Sequence, residues 1–405
     1  MKKGNVLVIG NSGVGKSMLI NAVLGESVAK TGIGTKGTTV EVELYDNETA
    51  PFRVLDTQGF EPSFIRRHQA IHEINEWSKS SVSGDENHEI NVIWFCVDGT
   101  AGKLFPQTIK ALSKATKMWK SVPVIVVITK SFSKPERDAN IALVQNAFAT
   151  QKRFTNNLKA ILPVVSSPYY IDEDTFAPPY GISELIEATN NAMPEGFQAA
   201  KKDISAFTLT RKRALSHSIV IASSTAGAAI GAAPIGMSDA LPLSALEFAE
   251  VNAIAAVYGV TKYKDSADLV QQLVETGTAS MAAKAAISAL KAIPAVNIAA
   301  STLNAIIAAS FVAAIGETAK SVFESVYLGE KSPSDIAWAR KLAEDQLTKN
   351  MVTSLTKELP GLLAKLDNVP MDQLIKEVIE LLISTFNSKE AEERHPKQAE
   401  VKPAQ

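Results

Sequence analysis

The residues best suited to chemistry lie near the start of the chain, in the stretch GNSGVGKS at residues 10–17. It has the spacing G-x-x-x-x-G-K-S, follows the apolar run VLVI and precedes the helix-like run SMLINAVLG. Glycines let backbone N–H groups turn towards an anion, and the helix that follows points its positive end at the same place. The pattern predicts a phosphate-binding loop, with Lys16 on the β- and γ-phosphates and the Ser17 hydroxyl on Mg²⁺.

A second stretch, DTQG at residues 56–59, ends the apolar run FRVL. An acid at the carboxyl end of a strand, beside a phosphate loop, is well placed to hold the hydration shell of Mg²⁺, so we predict Asp56 as a metal-site residue. Gly59 offers an N–H that a γ-phosphate can capture, which makes the next segment a switch. An ordinary turn at the end of a strand is the alternative interpretation.

Two threonines in the stretch GTT at residues 37–39 precede the next β-rich run. A threonine at this point can place its hydroxyl on Mg²⁺ and its N–H on the γ-phosphate. We assign this role to Thr39, which directly precedes the β-run, with Thr38 as the alternative. The predicted metal residues are therefore Ser17, Thr39 and Asp56.

The elements that must position these residues follow from the apolar pattern. Short β-rich runs alternate with helical stretches at residues 103–119 and 136–149, and three of the runs are apolar on both faces, as in a buried parallel sheet. Residues 40–45 and 52–55 flank the polar tip DNET and predict a hairpin. We expect an α/β domain at 1–196 with a mostly parallel sheet and one antiparallel hairpin, an all-α domain at 197–387, and a disordered charged tail at 388–405.

Together these motifs resemble the TRAFAC class of GTPases, and within it the Era and TrmE type, which has TT before its second strand. The resemblance covers residues 4–194 and implies a P-loop G domain that binds GTP or GDP with Mg²⁺ and hydrolyses GTP. It implies that the nucleotide phosphates and their metal are held by Gly10, Asn11, Ser12, Gly13, Val14, Gly15, Lys16, Ser17, Met18, Thr38, Thr39, Asp56 and Gly59.

The part of the pattern that reads the base departs from that family. The family has N/T-K-x-D after its fifth strand, whereas this chain has TKSF at residues 129–132. Thr129 and Lys130 match, and the aliphatic stem of Lys130 can lie on a purine face. Phe132 replaces the aspartate that accepts the guanine N–H groups, which puts guanine selectivity in doubt. Ser166 and Ser167 stand where the family contacts the base through its backbone.

The residue that orients the attacking water also differs. Many small GTPases have glutamine after D-x-x-G, but this chain has Phe60 there and Gln58 inside the motif. We assign catalytic roles to Lys16, Thr39, Gln58 and Gly59. Further catalytic help could come from nearby polar residues, with a solvated basic loop as the alternative: Glu61, Arg66, Arg67 and His68. We expect slow intrinsic turnover and a nucleotide-dependent homodimer or another partner.

The second half changes character, because strand-like runs end and alanine dominates. Residues 214–238 and 292–316 carry no charge before Asp239 and Glu317, and Ser223, Gly227 and Gly231 recur at every fourth position. This spacing puts small side chains on one helical stripe, where another helix can approach closely. Residues 211–316 resemble a helical domain of unknown function found on bacterial GTPases and in inner-membrane proteins. Both a soluble bundle and membrane contact through residues 214–316 remain open.

Composition limits the remaining possibilities. The chain has 405 residues, a formal net charge of −2 and a single cysteine, Cys96. The charge does not favour nucleic acid as a partner, and the lone cysteine in an apolar run fits a reducing compartment. We expect a cytoplasmic protein, with association with the cytoplasmic face of the inner membrane left open. The rivals to a GTPase switch are an ATPase or nucleoside kinase, and a non-catalytic scaffold that binds nucleotide.

Overall fold

The computed structural model describes residues 3–25, 29–33, 42–57, 88–115, 121–150, 157–171, 175–233, 241–279, 300–347, 361 and 369–394. The chain forms two compact units. The first comprises Met1–Tyr169 and Ala177–Leu215, and the second comprises Tyr170–Phe176 and Ser216–Gln405. The first unit is an α/β domain and the second is helical.

The first unit is built on a seven-stranded sheet with the order β2-β3-β4-β1-β5-β6-β7. Its strands are β1 Gly4–Gly10, β2 Ala29–Ile33, β3 Val42–Asp46, β4 Phe52–Thr57, β5 Ile90–Asp98, β6 Val124–Thr129 and β7 Leu158–Pro163. Strand β1 runs parallel to β4 and β5, and β6 runs parallel to β5 and β7. The carboxyl ends of β1, β4, β5 and β6 therefore meet at one edge of the sheet. The predicted α/β class is confirmed.

The helices of this unit cover both faces of the sheet. They are α1 Lys16–Leu24, α2 Phe105–Ala115, α3 Lys134–Ala149 and α4 Ile182–Ala192, with 3-10 turns at Gly99–Leu104 and Glu195–Phe197. The side chains of strand β5 contact helices on both faces. On one face Phe95 packs with Phe105 of α2 and Phe148 of α3. On the other face the preceding residue, Trp94, donates a hydrogen bond from Nε1 to the Thr189 hydroxyl of α4 at 3.0 Å. Side chains on a strand alternate between faces, so a continuous apolar run serves both layers.

The predicted antiparallel hairpin is present, since β3 pairs with β4 from Val42↔Thr57 to Tyr45↔Val54. Strand β2 was not predicted. It extends the sheet by pairing antiparallel with β3. Its sequence, AKTGI, carries a glycine and no apolar alternation, so pairing with a neighbouring strand rather than local pattern defines it.

The second unit contains six helices within the described residues, one of them shared with the first unit. They are α5 Lys201–Ala232, whose first part lies in the first unit, α6 Leu241–Tyr258, α7 Ser266–Ala279, α8 Ala300–Tyr327 and α10 Met371–Arg394, together with the shorter α9 Ile336–Gln346. Two short strands, β8 Tyr169–Tyr170 and β9 Phe176–Ala177, form a separate hairpin. A 3-10 turn at Val260–Lys262 follows α6.

Helix α8 forms the core of the second unit, and the predicted stripe of small residues packs on it. A Cβ at Gly227 would lie 2.9 Å from Val312 Cγ2, and one at Gly231 would lie 2.6 Å from the Asn304 carbonyl oxygen. Neither position has room for a side chain. The close helix approach predicted from residues 223, 227 and 231 is therefore confirmed.

Helices α5 and α8 are long and apolar enough to cross a membrane by length and hydropathy alone. In α8, 94% of the most apolar stretch is buried within the protein, and the core helix of a soluble bundle passes the same test. The packing of α8 therefore fits the bundle interpretation, and membrane contact stays a prediction.

The predicted limits of the domains differ from the compact units in detail. The units divide between Leu215 and Ser216, inside helix α5. The boundary at residue 196, predicted from the helix-ending residues Pro194 and Gly196, stays a prediction. Helix α10 runs on to Arg394, so residues 388–394 of the predicted tail are helical. Residues 395–405 lie outside the described part of the chain.

Candidate nucleotide-binding site

The phosphate loop joins the end of β1 to the start of α1. Gly13 and Gly15 adopt the left-handed region, with φ of 76° and 95°. A Cβ built on either residue would meet no atom within 4 Å. The loop therefore offers bare backbone facing open space at the positive end of a helix, which is the arrangement that binds phosphate. The strand, loop and helix predicted around residues 10–17 are all present.

Gly10 is glycine for a different reason. A Cβ there would lie 2.7 Å from the Cys96 carbonyl oxygen and 3.0 Å from Val14 Cγ2. Only a glycine lets β1 approach β5 this closely where the loop begins. Within the loop Asn11, Ser12 and Gly13 are exposed, whereas Val14 is buried and fixes the loop to the domain.

Lys16 places a charge over this loop. The residue is 8% exposed, and its Nζ lies 3.2 Å from the Gly10 carbonyl oxygen and 3.4 Å from that of Asn11. Both partners are neutral, so these contacts orient the ammonium without cancelling its charge. The next two residues, Ser17 and Met18, are exposed at the start of α1.

Asp56 lies at the carboxyl end of β4 and is 3% exposed. Its register partner in β1 is Val8, two residues before the phosphate loop begins at Gly10. The predicted cation and acid therefore share one edge of the sheet. Burial raises the pKa of the Cys96 thiol on β5 to about 12, and the charges of Lys16 and Asp56 act on that pKa in opposite directions.

The donor set at this edge fits Mg²⁺, which prefers oxygen ligands and keeps several waters. The exposed Ser17 hydroxyl and the Asp56 carboxylate supply oxygen at the phosphate loop and at the end of the adjacent strand. Other predicted site residues lie outside the described part of the chain: Thr38, Thr39, Gln58, Gly59, and the auxiliary candidates Glu61, Arg66, Arg67 and His68.

Thr129, predicted at the base, is bonded to the phosphate loop. Its hydroxyl oxygen lies 2.6 Å from the Val14 carbonyl oxygen and 3.0 Å from that of Val97, and the residue is 2% exposed. Thr129 thus ties the back of the loop to strands β5 and β6. The sequence pattern did not predict this anchoring role.

Lys130 directly follows β6 and adopts a positive φ of 52°. Its ammonium pairs with Asp98 at 2.7 Å, where Asp98 also accepts from the Thr100 hydroxyl at 2.7 Å. Burial alone would raise the pKa of Asp98, but the hydrogen bonds from Lys130 and Thr100 lower it overall. Sequence reasoning missed Asp98, although an acid at the end of β5, in the stretch VDGT, was a visible signal.

The position of the base-reading acid is aromatic. Phe132 stacks on Tyr169 with ring centroids 3.9 Å apart and an angle of 12° between the planes. Tyr169 is 49% exposed, and the predicted backbone contacts Ser166 and Ser167 are half-buried in the loop just before it. The loops after β6 and β7 thus meet through an aromatic stack, and residue 132 supplies no carboxylate.

The fold and the phosphate loop define the first part of the chain as a P-loop G domain, followed by a helical region. Residues 5–130 match the family model described as 50S ribosome-binding GTPase. That match supports the GTPase class of the predicted resemblance and does not single out the Era and TrmE type. No curated protein matches the chain.

Solved structures of G domains are also similar, at low levels. Toc33 of Arabidopsis thaliana is 16% identical, with 47% of this chain and 84% of that chain covered and a TM-score of 0.32. Era of Aquifex aeolicus bound to GDP and AlF4- is 22% identical over 55% and 67%, with a TM-score of 0.30. The G domain of the T. maritima FeoB iron transporter is 16% identical over 47% and 98%, with a TM-score of 0.29. Likeness at this level supports no inference about this chain.

Proposed function

We propose that this protein binds GTP with Mg²⁺ and hydrolyses it to GDP and phosphate. The observation that carries the proposal is the cradle at Gly13 and Gly15, with bare backbone at two left-handed glycines and the Lys16 ammonium held beside it. This combination of amides, helix terminus and lysine suits a polyphosphate tail.

In this reaction water attacks the γ-phosphorus in line, and the bond from phosphorus to the β–γ bridging oxygen breaks. Negative charge shifts onto that oxygen, where the loop amides and Lys16 stabilise it. Ser17, Asp56 and Thr39 would hold Mg²⁺, which would supply positive charge to the polyphosphate tail. Gln58, and the N–H of Gly59, would act at the γ-phosphate.

We expect turnover by the isolated protein to be slow, because Phe60 cannot orient the attacking water. An apolar side chain offers neither a hydrogen-bond donor nor an acceptor. A second copy of the chain or another partner would then supply help, for example through Arg66 or Arg67. Light scattering with GDP alone, and with GDP plus a metal fluoride that mimics the γ-phosphoryl group in the transition state, measures whether a nucleotide-dependent dimer forms.

A second candidate function is hydrolysis of ATP, and the Phe132–Tyr169 stack favours it. A site that reads guanine by hydrogen bonds rejects other bases strongly, but a stacked aromatic pair at residue 132 cannot accept the guanine N–H groups. Calorimetric titration with GTP, GDP and ATP, with and without Mg²⁺, distinguishes the two functions. Absence of binding by all three would overturn both.

We further propose that nucleotide state is transmitted to the helical unit, which contacts a membrane or a protein partner at the cytoplasmic face of the membrane. The support is the length and apolar character of α5, whose most apolar stretch is only 56% buried, and the single cysteine, which is free and buried as expected in a reducing compartment. Flotation of the full chain with liposomes, in GDP and in a non-hydrolysable GTP analogue, tests this. Protein that stays at the bottom of the gradient with both nucleotides would favour a soluble bundle.

A further inference from the structure

Glu250 of helix α6 is a carboxylate in the core of the helical unit. It is 0% exposed, and neither of its carboxylate oxygens makes a hydrogen bond to any described residue. Burying an ionised carboxylate without partners is very costly, so such a group is normally absent, paired or neutral. Its presence here requires an explanation.

Helix α8 provides the space that Glu250 occupies. A Cβ at Gly316 would lie 2.3 Å from Glu250 Oε1 and 2.8 Å from Val220 Cγ2, so any side chain at 316 would displace the carboxylate. Glycine inside a helix is less favourable than alanine. A buried carboxylate without hydrogen bonds and a glycine within a helix are both locally unfavourable, and here they lie in contact. Features of this kind occur more often at functional sites than in ordinary packing.

Further acids increase the negative charge around Glu250. Glu247, one turn earlier on α6, is 3% exposed, and its Oε2 makes no hydrogen bond to a described residue. Glu317 of α8 is 1% exposed and pairs with Lys320. Burial raises the pKa of Glu250 well above its usual range, and the charges of Glu247 and Glu317 raise it further. Burial also raises the pKa of Glu247 to about 7.

The charged groups on the other packed elements do not neutralise Glu250. On α8, Lys320 pairs with Glu317, and Glu324 accepts a hydrogen bond from the Tyr258 hydroxyl. On α5, burial lowers the pKa of His217, and the charge of Lys320 lowers it further while that of Glu380 on α10 raises it. Helix α7 carries two acids, Asp268 and Glu275, and both are exposed. The 3-10 turn that follows α6 carries one base, Lys262, which is also exposed.

We propose that Glu250 is a proton-binding site: the helical unit folds with a proton on this carboxyl, and the α6–α8 contact at Gly316 opens when the proton is lost. A proton is the cation that fits, because the described residues contain no group of three or more His, Cys, Asp or Glu side chains that could hold a metal ion. The site is independent of the nucleotide chemistry proposed above.

The sign of the pH effect follows from proton linkage. In the unfolded chain a glutamate ionises near pH 4.3, whereas in the folded unit Glu250 keeps its proton to a much higher pH. Folding therefore takes up a proton, and stability falls as the pH rises above the unfolded value. Each pH unit in that window changes the opening equilibrium by up to about tenfold for one proton.

The test is hydrogen exchange of α6 and α8 peptides in the full chain at about pH 5.5 and about pH 8, corrected for intrinsic exchange. Wild type should lose about tenfold or more in protection at the higher pH. Glu250→Gln, which keeps the shape of the protonated acid, should lose at least about tenfold less protection than wild type, and the response that remains is that of Glu247, whose pKa burial also raises. The control Glu275→Gln, at an exposed position, should behave as wild type.

Three outcomes would overturn the proposal. One is wild-type protection that does not change with pH, and another is a Glu250→Gln protein as pH-sensitive as wild type. The third is restored protection at the higher pH on adding Na⁺, K⁺, Mg²⁺ or Ca²⁺, which would make the site a metal site. If Glu250→Gln does not fold, Glu250→Met, an uncharged side chain of similar length, is compared instead, and a pH response equal to that of wild type counts against the site.

Discussion

The two ends of the candidate nucleotide site are built differently. At the phosphate end the backbone at Gly13 and Gly15 faces open space, and a lysine with neutral partners lies beside it. At the base end, Lys130 is paired with Asp98, and Phe132 is stacked on Tyr169. The phosphate end therefore has backbone and a charged group available to bind a ligand. At the base end the charged groups are paired with each other.

This difference separates affinity from selectivity. Phosphate groups are common to all nucleoside triphosphates, so the phosphate end can supply binding energy without choosing among them. Discrimination between bases needs polar groups that are left unpaired when the wrong base binds. Because residue 132 offers no such group, we expect tight but weakly selective binding. Substitutions at one end of the site, with nucleotide binding or phosphate release measured for both GTP and ATP, test this difference.

The largest effect is expected at the phosphate end. Lys16→Ala removes the positive charge beside the cradle, and phosphate release should fall by about 10²–10³-fold, as when one stabilising donor is lost. Steady-state phosphate release and calorimetry measure the loss, which should be similar for GTP and ATP. Lys110→Ala, an exposed lysine on α2, is the control. Phosphate release that persists in Lys16→Ala would mean that the activity is not at this loop.

The second effect concerns the base end alone. Phe132→Asp introduces an acid that can accept the guanine N–H groups, and the preference for GTP over ATP should rise by roughly 100-fold. In wild type we expect the two affinities to agree within about tenfold. Competition of the two nucleotides for the protein measures the ratio. The control Phe132→Asn introduces a side chain with the shape of aspartate but without its charge, and it should give a much smaller gain in the preference for GTP. A wild type that already rejects ATP strongly would contradict this account.

The third effect weakens the phosphate end without touching the ligand. Thr129→Val keeps the shape of the side chain but removes the hydroxyl from the Val14 carbonyl, which costs about 1–2 kcal/mol for a buried partner left unsatisfied. Nucleotide affinity should fall by up to about tenfold, equally for GTP and ATP, because the loop is common to both. Thr129→Ser restores the donor and should recover most of the affinity. A change in the ratio of the two affinities would instead place Thr129 at the base.

Local signals explain which parts of the fold the sequence could predict. The loop at residues 10–17 is defined by glycines whose φ values only glycine adopts readily, and the buried strands by continuous apolar runs. Strand β2 was missed because its pairing with β3 is a property of the sheet rather than of its own residues. The helical end of the predicted tail was missed because charge alone does not distinguish a helix from a disordered segment.

In the candidate site, too, local sequence predicts some features, and others depend on contacts between distant residues. The phosphate loop and Asp56 could be placed from their spacing, since a strand end and a helix start bring them to one edge. The bond from Thr129 to Val14 joins residues 115 positions apart, and the ion pair of Lys130 with Asp98 joins residues 32 apart. Such contacts depend on the order of the strands. Glu250 was not predicted either, because only packing shows that it faces a helical glycine.

The smallest effect tests the ion pair at the base end. Asp98→Asn leaves Lys130 without its carboxylate, and because both side chains are partly exposed the change should be worth at most about 1 kcal/mol, or about fivefold in nucleotide affinity.

The ion pair of Asp98 with Lys130 also predicts a pH response. Since the pKa of Asp98 is lowered in the folded protein, its contribution is complete above the unfolded value near 3.9 and is lost only as the pH falls through the lower, folded pKa. The affinity lost on Asp98→Asn should therefore be constant from about pH 5 to pH 8. Calorimetry across that range measures it, and a loss that shrinks towards pH 5 would show that the carboxylate is not held by Lys130 when nucleotide binds.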